Sequence, residues 1–394
     1  MIRRRVSLAL VLASLVLPAV ASDQPRAVPD TPADFKLSGE QHWVVVSVRA
    51  DGEAAIGLAR ELTWENQQVQ VARTRDGKYA VLVGPGPKLT DAELKSRFEG
   101  RGAAGDTAQL SRGEEFVARA WEFKDGRAAR SVMREGKPVA ASTGAVAMTA
   151  RVVRAAMKKS DELYALVVEG SEGGQPAFRL RIPGVYRPDP TARLTWVKLE
   201  GETPQAVIGL YTGGAHCCVQ QQLATKGADG KWKTLSGAKL DGDYGYTFED
   251  LDGDGTSEML SGDNRFLYQF ASYAESRMPA KIEKLVGAKI VDVSRDPKYR
   301  RYHVQYLAAM EAGADEEAWK TSGFLSGWVA QKALVGERAD GIARARKLFD
   351  KGDEPDFEQC MTNRYPLDKC PEKQKKLVPF ADALAKFLDE NGYK

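Results

Sequence analysis

The sequence has few of the residues that most often form catalytic or metal centres. Among 394 residues there are 4 cysteines and 3 histidines. The histidines, His42, His216 and His303, are far apart in sequence. A zinc site needs three or four ligands, so a site built around His216 would have to recruit ligands from elsewhere in the chain. No local pattern identifies a reaction.

The sequence also lacks a concentration of charge of one sign. It contains 57 Lys and Arg against 54 Asp and Glu, a formal net charge of +3. Nucleic-acid binding needs a basic face, and no such cluster is present, so we expect no nucleic-acid partner. With 43% hydrophobic and 28% charged residues, the composition is that of a globular protein and excludes wholesale disorder. The length predicts two or three domains.

Only the first residues form an apolar run. Three arginines (Arg3, Arg4, Arg5) precede the apolar stretch 6–17, and Ala19–Val20–Ala21 has the small residues of a signal-peptidase site. We predict a signal peptide over residues 1–21 and a periplasmic or secreted mature protein with no membrane span. Cleavage would remove the three arginines and leave the chain nearly neutral. Residues 22–40, rich in Pro, Asp and Ala, are predicted to be a flexible leader.

The four cysteines suit an oxidising compartment. Cys360 and Cys370 flank a short polar loop and are expected to form a disulfide between two helical stretches. For the adjacent Cys217 and Cys218, three alternatives remain open: a vicinal disulfide, free thiols, or metal binding together with His216.

Residues 41–99 show the order strand, helix, strand, strand, helix. Asp76–Gly77 marks a hairpin turn, and Thr90 with Glu93 forms a capping box before the second helix. The segments His42–Val46 and Tyr79–Pro85 resemble the SPOR domain, a ferredoxin-like module that binds peptidoglycan, which implies that fold and that ligand. An unrelated ferredoxin-like unit is the alternative.

The third strand of this unit departs from the family at Ala80 and Leu82, because the glycan-facing side usually carries polar residues. An apolar sheet face more often packs against another part of a protein. We therefore expect the fold more strongly than the glycan binding.

An acidic loop is the sharpest local motif. Asp250, Asp252, Asp254 and Glu258 occupy positions 1, 3, 5 and 9, Gly255 allows a sharp turn, and Thr256 offers a backbone carbonyl. Oxygen ligands at this spacing suit Ca²⁺, and the predicted role of the ion is structural. The alternative is a solvated turn.

The segment is not an EF-hand, because Ser261 stands at position 12 where that motif has Glu. It resembles the calcium loops of FG-GAP and VCBS-type β units. Residues 194–293 as a whole resemble an uncharacterised group of exported bacterial proteins. One loop is too few for a propeller, so a small β domain is expected.

The remaining chain divides into two predicted regions. Residues 114–300 contain short strands and Gly/Asp turns, typical of an antiparallel β domain, interrupted by a possible helix near 148–159. His303 and His42 are expected to be ordinary strand residues. Residues 301–394 are predicted to be helical, with helices at 316–333, 339–349 and 373–388. The fold class is therefore α+β.

These observations favour a non-enzymatic binding or structural protein of the cell envelope, with peptidoglycan or an envelope protein as its partner. One alternative is a periplasmic hydrolase acting on envelope glycan, for which Glu249 and Asp243 are the nearest paired carboxylates. A second is an inhibitor or chaperone-like partner of an envelope protein. No catalytic residue is assigned.

Overall fold

The computed structural model describes residues 26–63, 68–98, 107–154, 164–185, 188–241, 245–350, 357–362 and 369–394. The predicted signal peptide and Asp243 lie outside these ranges. Several antiparallel sheets are followed by helices at the C-terminal end, which confirms the α+β class. Within the described ranges, no helix combines the length and the apolar composition that crossing a membrane requires.

The N-terminal unit has the predicted order of elements. Its strands and helices are β1 (Thr31–Pro32), β2 (Gln41–Arg49), α1 (Gly52–Leu62), β3 (Val69–Thr74), β4 (Tyr79–Pro87) and α2 (Asp91–Phe98). The Asp51 carboxylate accepts from the Ala54 amide and caps α1. At α2 the Glu93 carboxylate accepts from the Thr90 amide at 2.8 Å, so the capping box forms as predicted.

The first sheet extends beyond the predicted unit. Strands β5 (Gln109–Ser111) and β6 (Phe116–Glu122) complete a six-stranded sheet in the order β1-β6-β3-β4-β2-β5. The central domain was predicted to start at residue 114, which would place β6 in that domain. In the structure β6 pairs with β3 of the first sheet instead. An unpaired β3 would expose a row of backbone hydrogen-bonding groups, and β6 satisfies them.

The leader is not a free segment where the structure describes it. Val28 and Phe35 are 4% and 2% exposed, and the Trp43 indole donates to the Phe35 carbonyl at 2.9 Å. Phe35 covers the sheet face that carries Ala80 and Leu82, both fully buried. The apolar side chains among its prolines and acids explain why the leader packs, contrary to the expectation of flexibility.

The central region contains two facing sheets. Its strands are β7 (Arg127–Met133), β8 (Val139–Thr143), β9 (Val146–Arg154), β10 (Tyr164–Glu172), β11 (Gln175–Val185), β12 (Ala192–Val197), β13 (Gln205–Tyr211), β14 (Cys217–Lys226) and β15 (Trp232–Asp241). The orders are β11-β10-β9-β8 and β15-β14-β13-β12-β7. The two sheets share a core that includes Leu166 and Trp196.

The helix expected near 148–159 is wrong in its described part, because residues 148–154 belong to β9. Met148 and Ala150 are buried, whereas the intervening Thr149 is exposed. This alternation has the two-residue period of a strand. Pairing with both β8 and β10 then outweighs the helical propensity of the segment.

A third sheet lies against the other face of the five-stranded sheet. Its strands are β16 (Thr247–Glu249), β17 (Glu258–Gly262), β18 (Ala280–Val286) and β19 (Lys289–Asp292), in that order. Phe248 and Met259 pack with Val207 and Leu223 between the two sheets. The acidic loop connects β16 to β17 as a hairpin turn, as its strand context predicted.

The C-terminal region is mainly helical. Its longer elements are α3 (Arg300–Gly313), α4 (Ser322–Leu334), α5 (Arg338–Leu348), β20 (Phe357–Cys360), β21 (Lys375–Val378) and α6 (Phe380–Glu390). Single-turn 3₁₀ helices occupy Asn264–Phe266, Pro297–Tyr299, Ala318–Lys320 and Glu372–Gln374. Trp328 and Leu384, both fully buried, lie at the centre of the core of this region.

Several boundaries here differ from the predicted ones. Helix α4 starts later than residue 316, because the Thr321 hydroxyl caps it. The helix predicted at 373–388 begins only at Phe380, since residues 375–378 pair with β20. Helix α3 lies in the region 301–394 that was predicted to be helical, but no individual helix was predicted at its position, and it contains His303, which we expected in a strand. Cys360 and Cys370 are joined, with Cα atoms 5.8 Å apart, beside the β20–β21 hairpin rather than between helices.

Candidate functional site

The acidic loop curls around one carboxylate. Amides of Gly253, Asp254 and Gly255 donate to the Asp250 side chain at 2.8, 3.1 and 3.0 Å. Gly253 and Gly255 have φ of +75° and +82°, a conformation that glycine adopts without strain. One carboxylate oxygen each from Asp250, Asp252 and Asp254 lie within 4.8 Å of one another. Three of the predicted ligands therefore converge.

Two lysines lie against these acids. The Lys284 ammonium, on β18, is 3.3 Å from Asp252, 2.7 Å from Asp254 and 2.9 Å from Glu258, while Lys298 is 2.7 Å from Asp252. The hydrogen bond from Lys284 lowers the pKa of the Asp254 carboxyl. Burial lowers the pKa of Lys284, but its bonds to Asp254 and Glu258 outweigh burial and raise it.

The last predicted ligands lie deeper. Glu258 is fully buried and accepts from the Leu251 amide at 2.7 Å and from the Tyr299 hydroxyl at 3.0 Å. The Thr256 hydroxyl donates to Asp254 at 2.5 Å. Glu258 is thus linked to Asp252 and Asp254 through the Lys284 ammonium. Sequence reasoning missed both lysines and Tyr299, because nothing near the motif signals residues so distant in the chain.

A cavity of about 590 Å³ lies between α1, α3 and the central strands. Arg60 of α1 donates to the Glu249 carboxylate and, at 3.2 Å, to Gln305. Its guanidinium lies over the rings of Trp121 and Tyr302, 5.1 and 5.0 Å from their centres. Arg60 is therefore held in one position by hydrogen bonds and by aromatic contacts.

Glu249, one of the two carboxylates considered for the hydrolase alternative, lines this cavity and is 7% exposed. Burial raises the pKa of its carboxyl, and the Arg60 guanidinium opposes that rise. Its assumed partner, Asp243, lies outside the described residues.

A second carboxyl borders the same cavity. Glu61 is exposed to the open space of the cavity, and desolvation within the cavity raises the pKa of its carboxyl while nearby Arg277 opposes the rise. Tyr306 lies close enough to both charges for them to influence its hydroxyl, and burial raises its pKa to about 12. The sequence had no signal for this group, because its members come from α1, the β17–β18 connection and α3.

His216 also lines the cavity. Its Nδ1 is 2.8 Å from an Asp241 carboxylate oxygen, its Nε2 is 2.9 Å from the Tyr268 hydroxyl, and the Tyr273 ring stacks on it at 3.7 Å. A carboxylate only accepts, so Nδ1–H donates to Asp241 and Nε2 is left to accept from Tyr268. The imidazole is therefore engaged on both sides.

The adjacent cysteines are paired with each other in the structure. Their sulfur atoms and an Asp241 oxygen lie within 4.8 Å of one another. A thiol nucleophile requires a base within hydrogen-bond reach, and both nitrogens of His216 have other partners. This arrangement does not form the Cys–His pair that catalysis would need, and Asp241 is the acidic neighbour that the sequence did not reveal.

Comparison with known proteins identifies relatives but no activity. Residues 302–392 match the family described as the sll0997 C-terminal domain. The chain is 31% identical over 380 residues, 92% of its length, to the uncharacterized protein y4bJ of Sinorhizobium fredii. It is 34% identical over 230 residues, 57% of its length, to the probable thylakoid lumen protein sll0997 of Synechocystis.

These alignments cover only part of each relative. The chain spans 57% of the Sinorhizobium protein and 63% of the Synechocystis protein. The region matched by the family begins within α3 and contains α4, α5, the β20–β21 hairpin and α6. No solved structure matches the chain. The protein therefore shares its C-terminal domain with a family of uncharacterised proteins.

Proposed function

We propose that the protein works outside the cytoplasm, in the periplasm or as a secreted protein, as a non-enzymatic binding protein of the cell envelope. A lumenal compartment in the name of one relative supports an exported location. The two pairs of joined cysteines also suit an oxidising compartment. The apolar run at the start of the sequence also supports export from the cytoplasm.

The charge pairing in the cavity carries the binding function. Pockets of 300–1,000 Å³ with a few placed polar groups are typical of small-molecule sites, and this cavity has about 590 Å³. A glycoside hydrolase needs two available carboxyl groups about 5–9.5 Å apart. Glu249 is instead tied to Arg60, so this group suits a rigid binding wall better than proton transfer.

The acidic loop is proposed to bind a structural calcium ion through Asp250, Asp252, Asp254, Thr256 and Glu258. Its hard oxygen donors are the kind that Ca²⁺ prefers. The ammonium of Lys284 lies among the same carboxylates, so calcium would have to displace it. This competition predicts weak binding, in the range of about 10⁻⁴–10⁻³ M seen for extracellular modules.

Thermal unfolding with millimolar Ca²⁺ and with EGTA tests the calcium proposal. An ion that binds only the folded state raises the unfolding midpoint. We expect a rise that Asp252→Ala abolishes and that Asp229→Ala, on an exposed turn, retains. Equal midpoints with calcium and with EGTA would reduce the loop to a turn neutralised by lysines.

Peptidoglycan or an envelope protein is the proposed partner. The sheet face through which a SPOR domain would bind glycan is covered by Phe35, so binding through that face would require the leader to move. Co-sedimentation with purified peptidoglycan tests the glycan partner. A protein that stays in the supernatant but retains an envelope protein in a pull-down would favour the inhibitor or chaperone-like role.

A further inference from the structure

We infer that the cavity between α1, α3 and the central strands binds a neutral, hydroxyl-rich ring compound, namely a short glycan. The inference rests on the proposed binding function and assigns its ligand to this cavity. It places the glycan away from the covered face of the N-terminal sheet. The surfaces, the hydrogen-bonding groups and the charge balance of the cavity each support this ligand class.

Aromatic surface from separate parts of the chain lines the cavity. Tyr302 and Tyr306 of α3 line it, and so do Tyr273 and its stacked partner His216. Large, rigid rings with a polar edge give contact area at low entropic cost and can also hydrogen bond. A sugar ring presents apolar C–H faces and a rim of hydroxyls, so it matches walls of this kind.

One buried hydroxyl in the cavity has no partner. Ser261 lines the cavity and is 7% exposed, and within the described ranges its Oγ makes no hydrogen bond. A buried polar group without a partner is destabilising. Because the Ser261 Oγ has almost no exposed surface, a ligand hydroxyl would bond to it after a small movement of the neighbouring side chains. Ser261 lies on β17, and none of the aromatic residues named above belongs to that strand. It therefore supports the inference independently of them.

Among the residues that the structure describes, the charges that border the cavity balance. These charges comprise three arginines and three carboxylates, Arg60, Arg193, Arg277, Glu61, Asp241 and Glu249. A strongly anionic ligand needs cations that are not already compensated, and Arg60 is bound to Glu249. Paired ions offer both donors and acceptors without a net field. This suits hydroxyl groups, which do both, better than a phosphate.

Isothermal titration of the full protein with a tetramer of β-1,4-linked N-acetylglucosamine tests the inference. Ser261→Ala should weaken binding about three- to tenfold, as the loss of one neutral hydrogen bond does. Arg277→Gln should weaken it about tenfold or more, because a charged donor is lost. Arg179→Gln, an exposed arginine on β11, and Ser171→Ala serve as matched controls and should leave the affinity unchanged.

Three outcomes would overturn the inference. The tetramer could fail to bind, inositol hexakisphosphate could bind in its place, or the cavity variants could bind the tetramer as tightly as the controls. Co-sedimentation with peptidoglycan that persists in both cavity variants would refute this site while leaving the proposed function intact. Binding of the tetramer that needs Ser261, without any sedimentation, would support this site and count against peptidoglycan as the partner.

Discussion

The ammonium group of Lys284 lies 2.7 Å from the carboxylate of Asp254 and 2.9 Å from that of fully buried Glu258. Strand β18 thus supplies the positive charge that the acidic loop between β16 and β17 requires. Carboxylates this close repel one another unless a cation neutralises them. The loop therefore has an internal counter-ion besides any metal that it binds.

Replacing that counter-ion should expose its contribution. Lys284→Met leaves Glu258 buried without its cation, and we expect a loss on the order of 3 kcal/mol in the absence of calcium. Because the competing ammonium is gone, Ca²⁺ should raise the unfolding midpoint of this variant more than that of the wild type. Lys289→Met, an exposed residue of β19, is the control. Equal calcium responses in the wild type and Lys284→Met would contradict the competition.

Close packing of α1 on α3 should tolerate no side chain at Gly57. A Cβ added there would lie 2.1 Å from the Gln305 carbonyl oxygen and 2.7 Å from the Ala309 Cβ. Gly57→Ala should therefore force the helices apart and cost about 1–3 kcal/mol. Gly313→Ala, at the end of α3, meets nothing within 4 Å and should be neutral or slightly stabilising. Urea denaturation midpoints at constant slope measure both, and equal midpoints would refute the packing argument.

His303 should make stability depend on pH. Its Nε2–H donates to the Ser294 carbonyl at 2.7 Å, and its Nδ1 accepts from the Gln331 amide at 3.2 Å. Burial lowers its pKa to about 4 from the ordinary histidine value of 6.5. Between pH 4 and pH 6.5, the imidazole is therefore mostly protonated in the unfolded state and mostly neutral in the folded state. The stabilisation is complete above pH 6.5 and falls as the pH drops towards 4, by about 3 kcal/mol in all.

Free energies of unfolding from pH 7 to pH 4.5 measure this effect. His303→Gln should reduce the slope between pH 6.5 and 5, whereas His42→Gln, on β2 of the first sheet, should retain the slope of the wild type. Parallel profiles for all three proteins would show that His303 does not carry the dependence.

The two cysteine pairs should contribute unequally. Cys360 and Cys370 are 10 positions apart, and closing a loop of this length stabilises by about 2–3 kcal/mol on the chain-entropy model. Cys360→Ser with Cys370→Ser should lower the unfolding midpoint accordingly. The bond between the adjacent Cys217 and Cys218 closes no loop of intervening residues. The double substitution Cys217→Ser with Cys218→Ser should therefore change the unfolding midpoint little. A larger effect from the second pair would point to a role beyond chain entropy, and calorimetry under oxidising conditions distinguishes the cases.

Part of this architecture follows from local sequence signals. The order of elements in residues 41–99 comes from short-range periodicity, the Asp76–Gly77 turn and the Thr90–Glu93 capping box, all of which involve neighbours in the chain. The hairpin position of the acidic loop has the same origin. Such features depend on backbone geometry and on hydrogen bonds within a few residues, so one segment suffices to predict them.

Other features depend on partners that are remote in sequence. Residues 148–154 form a strand because β8 and β10 flank them, and Phe35 is buried because the first sheet offers it an apolar face. His303 lies in a helix whose position is set by contacts with α1 and α4. In each case burial or strand pairing outweighed the local preference, and no window around these residues contains that information.

By itself the sequence determined the α+β class, the spacing of the acids at Asp250, Asp252 and Asp254, and the apolar start that predicts export. Only the tertiary structure placed Lys284 among those acids and brought Arg60 to Glu249 and Glu61 to Arg277 around one cavity. The physical reason is the separation along the chain between the interacting residues. Turns and caps are satisfied within a few residues, whereas a buried charge takes its partner from whichever element packs beside it.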